Sequence, residues 1–488
     1  MKLTNHNFVP DIVNPSPDYF CTWQTQLYAT SDGKPEAQRR GLNEAALFSP
    51  KKPFGWTSFY PKARRDLLFV MDDSWDVPED GNPAYYGSLA VAADKFPSAC
   101  RHSNPLKALV QRVSALGWKG LGGWVCAQES GLFPATTQEA YWKKRLQAAD
   151  SAEFSYWKVD WGTHCEDAAF RMKLTQLGKA YAPRLIIEHA MTAEVIPHAD
   201  CFRTYDVPAI ASIPLTMKKL AALPVSLPAE AGCAGLVNCE DEVYLAAAGG
   251  YTMGVMRHPY TGTLPNGKPD PAFPSLHRNL KTKLYEVLRA VHWHRIAPAF
   301  DAGYGITQVS PEQLTDVWQF KDPAEEIEQW WFQMPLKECI RENALHITAP
   351  AAISRNTALA HVQPDGHGQQ PFVISSQNPN GAFSIATAGR TFGREYCIQK
   401  CSITACSGDA KAIGIFGAYA SLTLKTKWWQ AERIFMQDLA AEQAFDITDD
   451  VRRSNGSLTI PGEIIACIGN SAQPADDTSE PGVVLVLA

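Results

Sequence analysis

The chain has 488 residues, more than one ordinary hydrophobic core accommodates, so length alone favours two or three domains. With 45% hydrophobic and 20% charged residues, a net charge of −6 and no lysine/arginine block, the composition argues against nucleic acid or an anionic membrane as partner. No run of about 18 apolar residues occurs, which excludes a conventional membrane span.

The opening stretch, "MKLTNHNFVPDIVNPSPDYF", lacks the apolar run of a signal peptide, and prolines interrupt it early. Twelve cysteines are scattered without CxxC pairs, so reduced cytosolic thiols are expected unless a leader has been trimmed. Fourteen tryptophans are an excess with two readings, stacking platforms for sugar rings or a large core. Residues 1–52 read as an irregular N-terminal extension with a helix near "PEAQRRGLNEAALF".

From residue 53 the pattern changes. The apolar runs "FGWTSFY", "LLFVMDD", "GLGGWV", "YWKVDWG", "RLIIEHA", "CFRTYDV", "GLVNCED" and "MGVMRHP" alternate with amphipathic stretches. In one of these, Leu106, Leu109, Val110, Val113 and Leu116 share a helical face, opened by Asn104-Pro105 and closed by Gly117. Continuously apolar strands followed by helices are the mark of parallel strands buried on both faces. Eight such units over 53–300 predict a (β/α)8 barrel rather than an open doubly wound sheet, which would show a glycine-rich phosphate loop. Residues 301–488 are β-rich, as in "PFVISSQNPNGAFSIATAG" with its turn residues, and predict a C-terminal antiparallel β-domain.

Barrel active sites lie where strands end. The residues at those ends are Asp72, Asp73, Trp124, Lys158, Asp160, Glu188, His189, Arg203, Asp206, Glu240, Asp241, Arg257 and His258. Alternation places Lys158 and Asp160 on one strand face, directed at the barrel interior. One of Glu188 and His189 must then face outward. Asp72-Asp73 also suits a helix cap, and Glu240-Asp241-Glu242 suits the acidic first turn of a helix. Two carboxylates on one rim suit glycoside hydrolysis, one attacking or stabilising the anomeric carbon and the other protonating the leaving oxygen. A metal-dependent barrel is disfavoured because the histidines lack ligand spacing, and a serine hydrolase because no GxSxG occurs. No cofactor is expected, and the expected partner is a carbohydrate.

These motifs resemble those of glycoside hydrolase clan D, in particular the family 27 α-galactosidases and α-N-acetylgalactosaminidases. "PFGWTSFY" is similar to their first-strand motif, "FVMDDSW" to the Asp-Asp-x-Trp of the second, "WKVDWG" to the nucleophile motif, and "FRTYDV" to the acid/base segment. The resemblance implies a retaining mechanism with Asp160 as nucleophile and Asp206 as acid/base. It also implies that Asp72 and Asp73 hold sugar hydroxyls and that Lys158 and Arg203 assist; Trp124, Trp161 and Glu188 are expected beside them as substrate-binding residues. It departs in four places, one being the fifth strand, where "EHA" matches neither usual pattern for reading the sugar's 2-substituent. Arg203 and Asp206 are one residue closer than in the family, so Glu188, Glu240 or Asp241 are the substitutes for the acid/base. Phe59 replaces a tryptophan, and Cys126 with Cys165 is only an approximate counterpart of the family's cysteine pair. The remaining alternatives are a clan-related enzyme with another glycone and a catalytically silent sugar-binding barrel.

Overall fold

The structure is a computed structural model, describing residues 1–30, 35–51, 54–133, 135, 137–204, 212–223, 227–259, 278–319 and 344–488. Eight parallel strands form one sheet: β1 Tyr19–Cys21, β2 Leu68–Met71, β3 Gly120–Val125, β4 Tyr156–Val159, β5 Ile186–His189, β6 Cys201–Arg203, β7 Leu236–Asn238 and β8 Gly254–Val255. Each strand from β1 to β7 pairs with the next, and β8 pairs with β1. A parallel bridge between Asn238 and Thr252 joins β7 to the approach of β8 and closes the barrel.

Strands β2 to β8 lie within the predicted runs. The first does not. "FGWTSFY" forms a 3-10 turn over Trp56–Ser58, and the strand expected there is Tyr19–Cys21 instead. Residues 1–52, read from the sequence as an extension, therefore supply a barrel stave, and the barrel begins upstream of residue 53. The physical reason is burial on the wrong side. Trp56 and Phe59 pack outside the sheet, where Phe59 meets the outward ring of Phe20 at 5.7 Å.

The helical stretches become α1 Trp23–Thr30, α2 Pro35–Gly41, α3 Glu44–Phe48, α4 Pro105–Ala115, α5 Gln138–Ala152, α6 Ala168–Tyr181, α7 Ser212–Ala222, α8 Val243–Gly249 and α9 Leu284–Ile296. Capping fixes their starts. Asn104, Thr137 and Asp167 each accept a main-chain N–H in the first turn of the helix that follows.

Beyond the barrel lie three sheets of nine, four and five strands. Most of their pairs are antiparallel, as in Phe372–Gln377 with Phe383–Ala388, while Cys401–Gly408 runs parallel to Tyr419–Thr426. The N-terminal residues Lys2–Leu3 add an edge strand to the nine-stranded sheet. That sheet packs on α8 and α9. Small residues in α8 let it come close, and the hydroxyls of Ser376 and Ser384 both donate to the Ala248 carbonyl. A buried bidentate pair, Arg289 to Asp438 at 2.9 and 3.1 Å, and the Arg355 bonds to the Gly249 and Gly250 carbonyls complete the junction.

Candidate active site

Alternation along each stave decides what enters the barrel. Trp157 and Val159 point to the outer helices, so Lys158 and Asp160 point inward, as predicted. On β5 the inward residue is Glu188. His189 faces outward, against Arg171 and Thr175 of α6.

The lumen has a polar floor. Glu188 is fully buried and accepts from the Tyr19 hydroxyl (3.1 Å), the Tyr156 hydroxyl (2.8 Å), Asn238 Nδ2 (2.9 Å) and Arg203 Nη1 (3.1 Å). Tyr19 and Tyr156 are held far above the usual phenol range, first by burial and then by the neighbouring acids. Their hydroxyls therefore keep their protons and donate. With five donors on its two oxygens, the Cys201 thiol at 3.7 Å included, Glu188 is a foundation for Arg203. It does not stand at the pocket mouth as a substrate contact, nor as a substitute acid.

Above the floor stands Asp160, just past the end of β4. Its Oδ2 accepts from Trp124 Nε1 at 2.9 Å and its Oδ1 pairs with Arg203 Nη2 at 3.0 Å. Trp124 thus holds the carboxylate by its indole N–H, with its ring 5.3 Å from that of the half-buried Trp161. Two charge-assisted contacts fix the carboxylate's orientation. At 8% exposure Asp160 still meets solvent, which Lys158 and Glu188 do not.

One pleat below, Lys158 Nζ lies 2.7 Å from Asp72 Oδ2. The same oxygen accepts the Cys21 thiol at 2.8 Å, and Oδ1 accepts the Asp73 amide. Cys21 was missed because its strand was misplaced. Burial, then the Asp72 charge, keeps its thiol protonated. Lys158 thus neutralises Asp72 rather than Asp160, whose cation is Arg203.

Asp73 is saturated differently. Arg39 Nε donates to Oδ2 at 2.9 Å and the Ser74 hydroxyl to Oδ1 at 2.7 Å. Burial raises the Asp73 carboxyl above its usual value, against the lowering pull of Arg39. The Arg39 guanidinium is 27% exposed, and it lies 5.5 Å from the Tyr86 ring centre and 5.9 Å from that of Trp161. Lys95, pushed down to about 8 by burial, donates to the Ser74 and Arg39 carbonyls and so ties α2 to the end of β2. Nothing in the spacing of "PEAQRRG" announced Arg39 as a pocket residue; the Asp-Asp pair was the only available signal.

The β7 end contributes Glu240, whose Oε1 is 2.8 Å from Arg203 Nε. Glu240 adopts a positive φ of 37°, with its amide bonded to Asn238 Oδ1. Asp241 pairs with Arg257 at 2.9 Å and Glu242 with Arg278 at 2.5 Å, so each acid of the triplet has its own arginine, and Glu286 links the last two arginines. Arg257 also binds Glu286, which places it between the barrel and α9 rather than over the pocket. His258 is buried and held well below the usual imidazole range by burial and by Lys281. Among the described residues no group of three or more His, Cys, Asp or Glu side chains converges as a metal set. Cys126 and Cys165 are both free thiols, so the pairing implied by the family motif is not formed. Asp206 lies outside the described residues. No described helix is long and apolar enough to cross a membrane.

No protein-family model and no curated protein matches the chain. Solved structures do. An α-galactosidase I from Mortierella vinacea aligns at 10% identity over 97% of both chains with a TM-score of 0.39. An α-galactosidase from Saccharomyces cerevisiae with raffinose aligns at 8% identity over 96% of this chain and 92% of that one, TM-score 0.37. A family 27 β-L-arabinopyranosidase from Geobacillus stearothermophilus aligns at 11% over 91% and 95%, TM-score 0.35. At these scores the likeness carries no weight about chemistry, which rests on the residues just described.

Proposed function

We propose that the protein is a retaining, exo-acting glycoside hydrolase of α-galactosidase type, acting by double displacement. The observation that supports it most directly is the Asp160 carboxylate. It stands at a strand end, partly open to solvent, and is held by Trp124 and Arg203 in one orientation. Arg203 pairs with it at 3.0 Å, and a carboxylate nucleophile attacks through such an oxygen. Attack at the anomeric carbon would form a glycosyl-enzyme and release the aglycone, and water would then regenerate the carboxylate.

In this reading Asp206 supplies the proton to the leaving oxygen and later takes one from water. Glu240, already against Arg203, is a described substitute. Asp72 and Asp73 take the place of the hydroxyl-reading pair of the resembling family, and Trp161 offers the stacking surface. The glycone departs from that family to the degree that Arg39 occupies Asp73. A panel of nitrophenyl glycosides is the direct test, with Asp160→Asn as control. Hydrolysis of an α-galactoside or a near stereochemical relative, abolished in the variant while the fold and sugar binding persist, is the expected result. Undiminished turnover in Asp160→Asn removes the nucleophile. No turnover of any glycoside by the wild type, with sugar binding retained, leaves a silent binding barrel.

A further inference from the structure

Arg171 is a cation in an expensive place. It is fully buried and sits in the first turn of α6, where the helix dipole opposes positive charge. Burial pushes its guanidinium down to about 10. A buried cation persists when its donors are well satisfied, and here they converge on one short stretch of main chain. Nη2 donates to the Asp160 carbonyl at 2.7 Å, Nη1 to the Val159 carbonyl at 3.2 Å, and Nε to the Cys165 carbonyl at 2.8 Å. Those three carbonyls bracket the end of β4 and the loop that follows it.

The guanidinium is itself held. Nη1 also faces His189 Nδ1 at 3.3 Å, and His189 Nε2 is 2.8 Å from Thr175 Oγ1. Because arginine can only donate, Nδ1 accepts and Nε2–H donates to Thr175, whose hydroxyl in turn donates to the Arg171 carbonyl at 3.3 Å. Burial and the Arg171 charge keep His189 well below the usual imidazole range, so it stays the neutral acceptor this circuit needs. His189, which the sequence offered as a rim candidate, belongs to this circuit.

The loop needs such a fastening. Cys126 and Cys165 do not bridge it. It turns sharply at Gly162, φ +141°, where a Cβ would lie 2.7 Å from the Ala127 main chain. The Ala127 amide donates to the Trp161 carbonyl at 2.8 Å and the His164 amide to the Ala127 carbonyl at 2.9 Å. These bonds hold the far side of the loop to β3, and Arg171 holds the near side to α6.

We infer that Arg171 is the positioning residue of the nucleophile, clamping the main chain on both sides of Asp160 so that its carboxylate presents a fixed edge to the sugar. This rests on the reading of Asp160 as nucleophile. A displacement of about 1 Å at a reacting group costs on the order of 100-fold in rate.

Arg171→Ala and Arg171→Lys test it, the second keeping the buried charge while losing the three-pronged fork. Two readouts are required in the full-length protein. Amide exchange of residues 160–167 should speed up in both variants relative to wild type, and this needs no activity. In steady state kcat should fall about 100-fold in Arg171→Ala with KM little changed, and millimolar guanidinium should restore part of the loss. Arg171→Lys should fold and show an intermediate kcat. Wild-type exchange, or wild-type kcat in Arg171→Lys, overturns the inference, as does an equal loss of kcat and sugar affinity without guanidinium rescue. A wild type that hydrolyses nothing would defeat the functional reading instead, and the exchange measurement alone would then decide the clamp.

Discussion

Asp72 and Asp73 are adjacent in sequence yet have opposite dependences on their partners. Asp72 neutralises Lys158, which is fully buried and has no route to water. Removing one partner of a buried pair leaves an uncompensated charge and costs about 3–5 kcal/mol. Asp72→Ala should therefore lower stability substantially, seen as a shifted denaturant midpoint. Asp73→Ala should not, because the part-exposed Arg39 can rehydrate. Its effect should fall on sugar binding. A charged acceptor contributes about 1.5–3 kcal/mol, so affinity for the preferred sugar should weaken by about one to two orders of magnitude by titration calorimetry. Equal and negligible effects of the two substitutions on both measurements would reduce the pair to a helix cap. A third carboxyl nearby, Asp76, carries a pH signature. Burial raises it from 3.8 to about 7, and its Oδ1 has no hydrogen-bond partner among the described residues. In that window the folded state binds the extra proton, so this group's contribution to stability declines as pH rises from about 4 to 7 and is flat above. Asp76→Asn should be more stable than wild type above pH 7, the difference vanishing below about pH 4. Urea midpoints across that range are the check, and a difference independent of pH would refute the assignment.

At the scale of elements, the staves that sequence made legible are those with continuous apolar runs ending in a charge, β2 through β7, with β8 shorter than its run suggested. Period-two alternation is enough to orient Lys158 and Asp160. β1 was illegible because it is three residues long and follows a proline- and asparagine-rich stretch that reads as loop. The aromatic run "FGWTSFY" offered a more strand-like pattern nearby. Trp56, Phe59 and Tyr60 are buried, the last two against Phe20 outside the barrel, where a 3-10 turn serves as well as a strand. The omission hid Cys21 and Tyr19 together, and with them one donor to Asp72 and one to Glu188. Arg39 and Arg171 were hidden for another reason. Both come from helices, and no local pattern tells which long side chain turns inward. The corrected first stave has a measurable consequence. A chain starting at residue 54 lacks the strand that bonds both β2 and β8, and leaves two parallel edges unpaired. It should fail to fold cooperatively, giving no sharp unfolding transition by circular dichroism, whereas a dispensable extension would leave that transition in place.

On the scale of the whole molecule, the chain's two ends are tied to the same framework. Lys2–Leu3 pairs with the C-terminal β-domain, β1 follows within the barrel, and Arg289 of α9 is locked to Asp438. The β-domain thus braces α8 and α9, the two helices that flank the closing strand, while Asp160 opens beside Trp124, Trp161 and Arg203 at the strand ends. The architecture sets the partly solvated Asp160 carboxylate above the fully buried Glu188 and its donors. If this carboxylate bonds to sugar, it can be trapped by incubating the protein with a fluorinated galactosyl donor carrying an activated leaving group, chosen so that release is slower than attack, and mapping the modified peptide by mass spectrometry. One glycosyl adduct per chain is expected, on Asp160, with retained anomeric configuration in the first product of a normal substrate. An adduct on another residue, or an inverted first product, would contradict it.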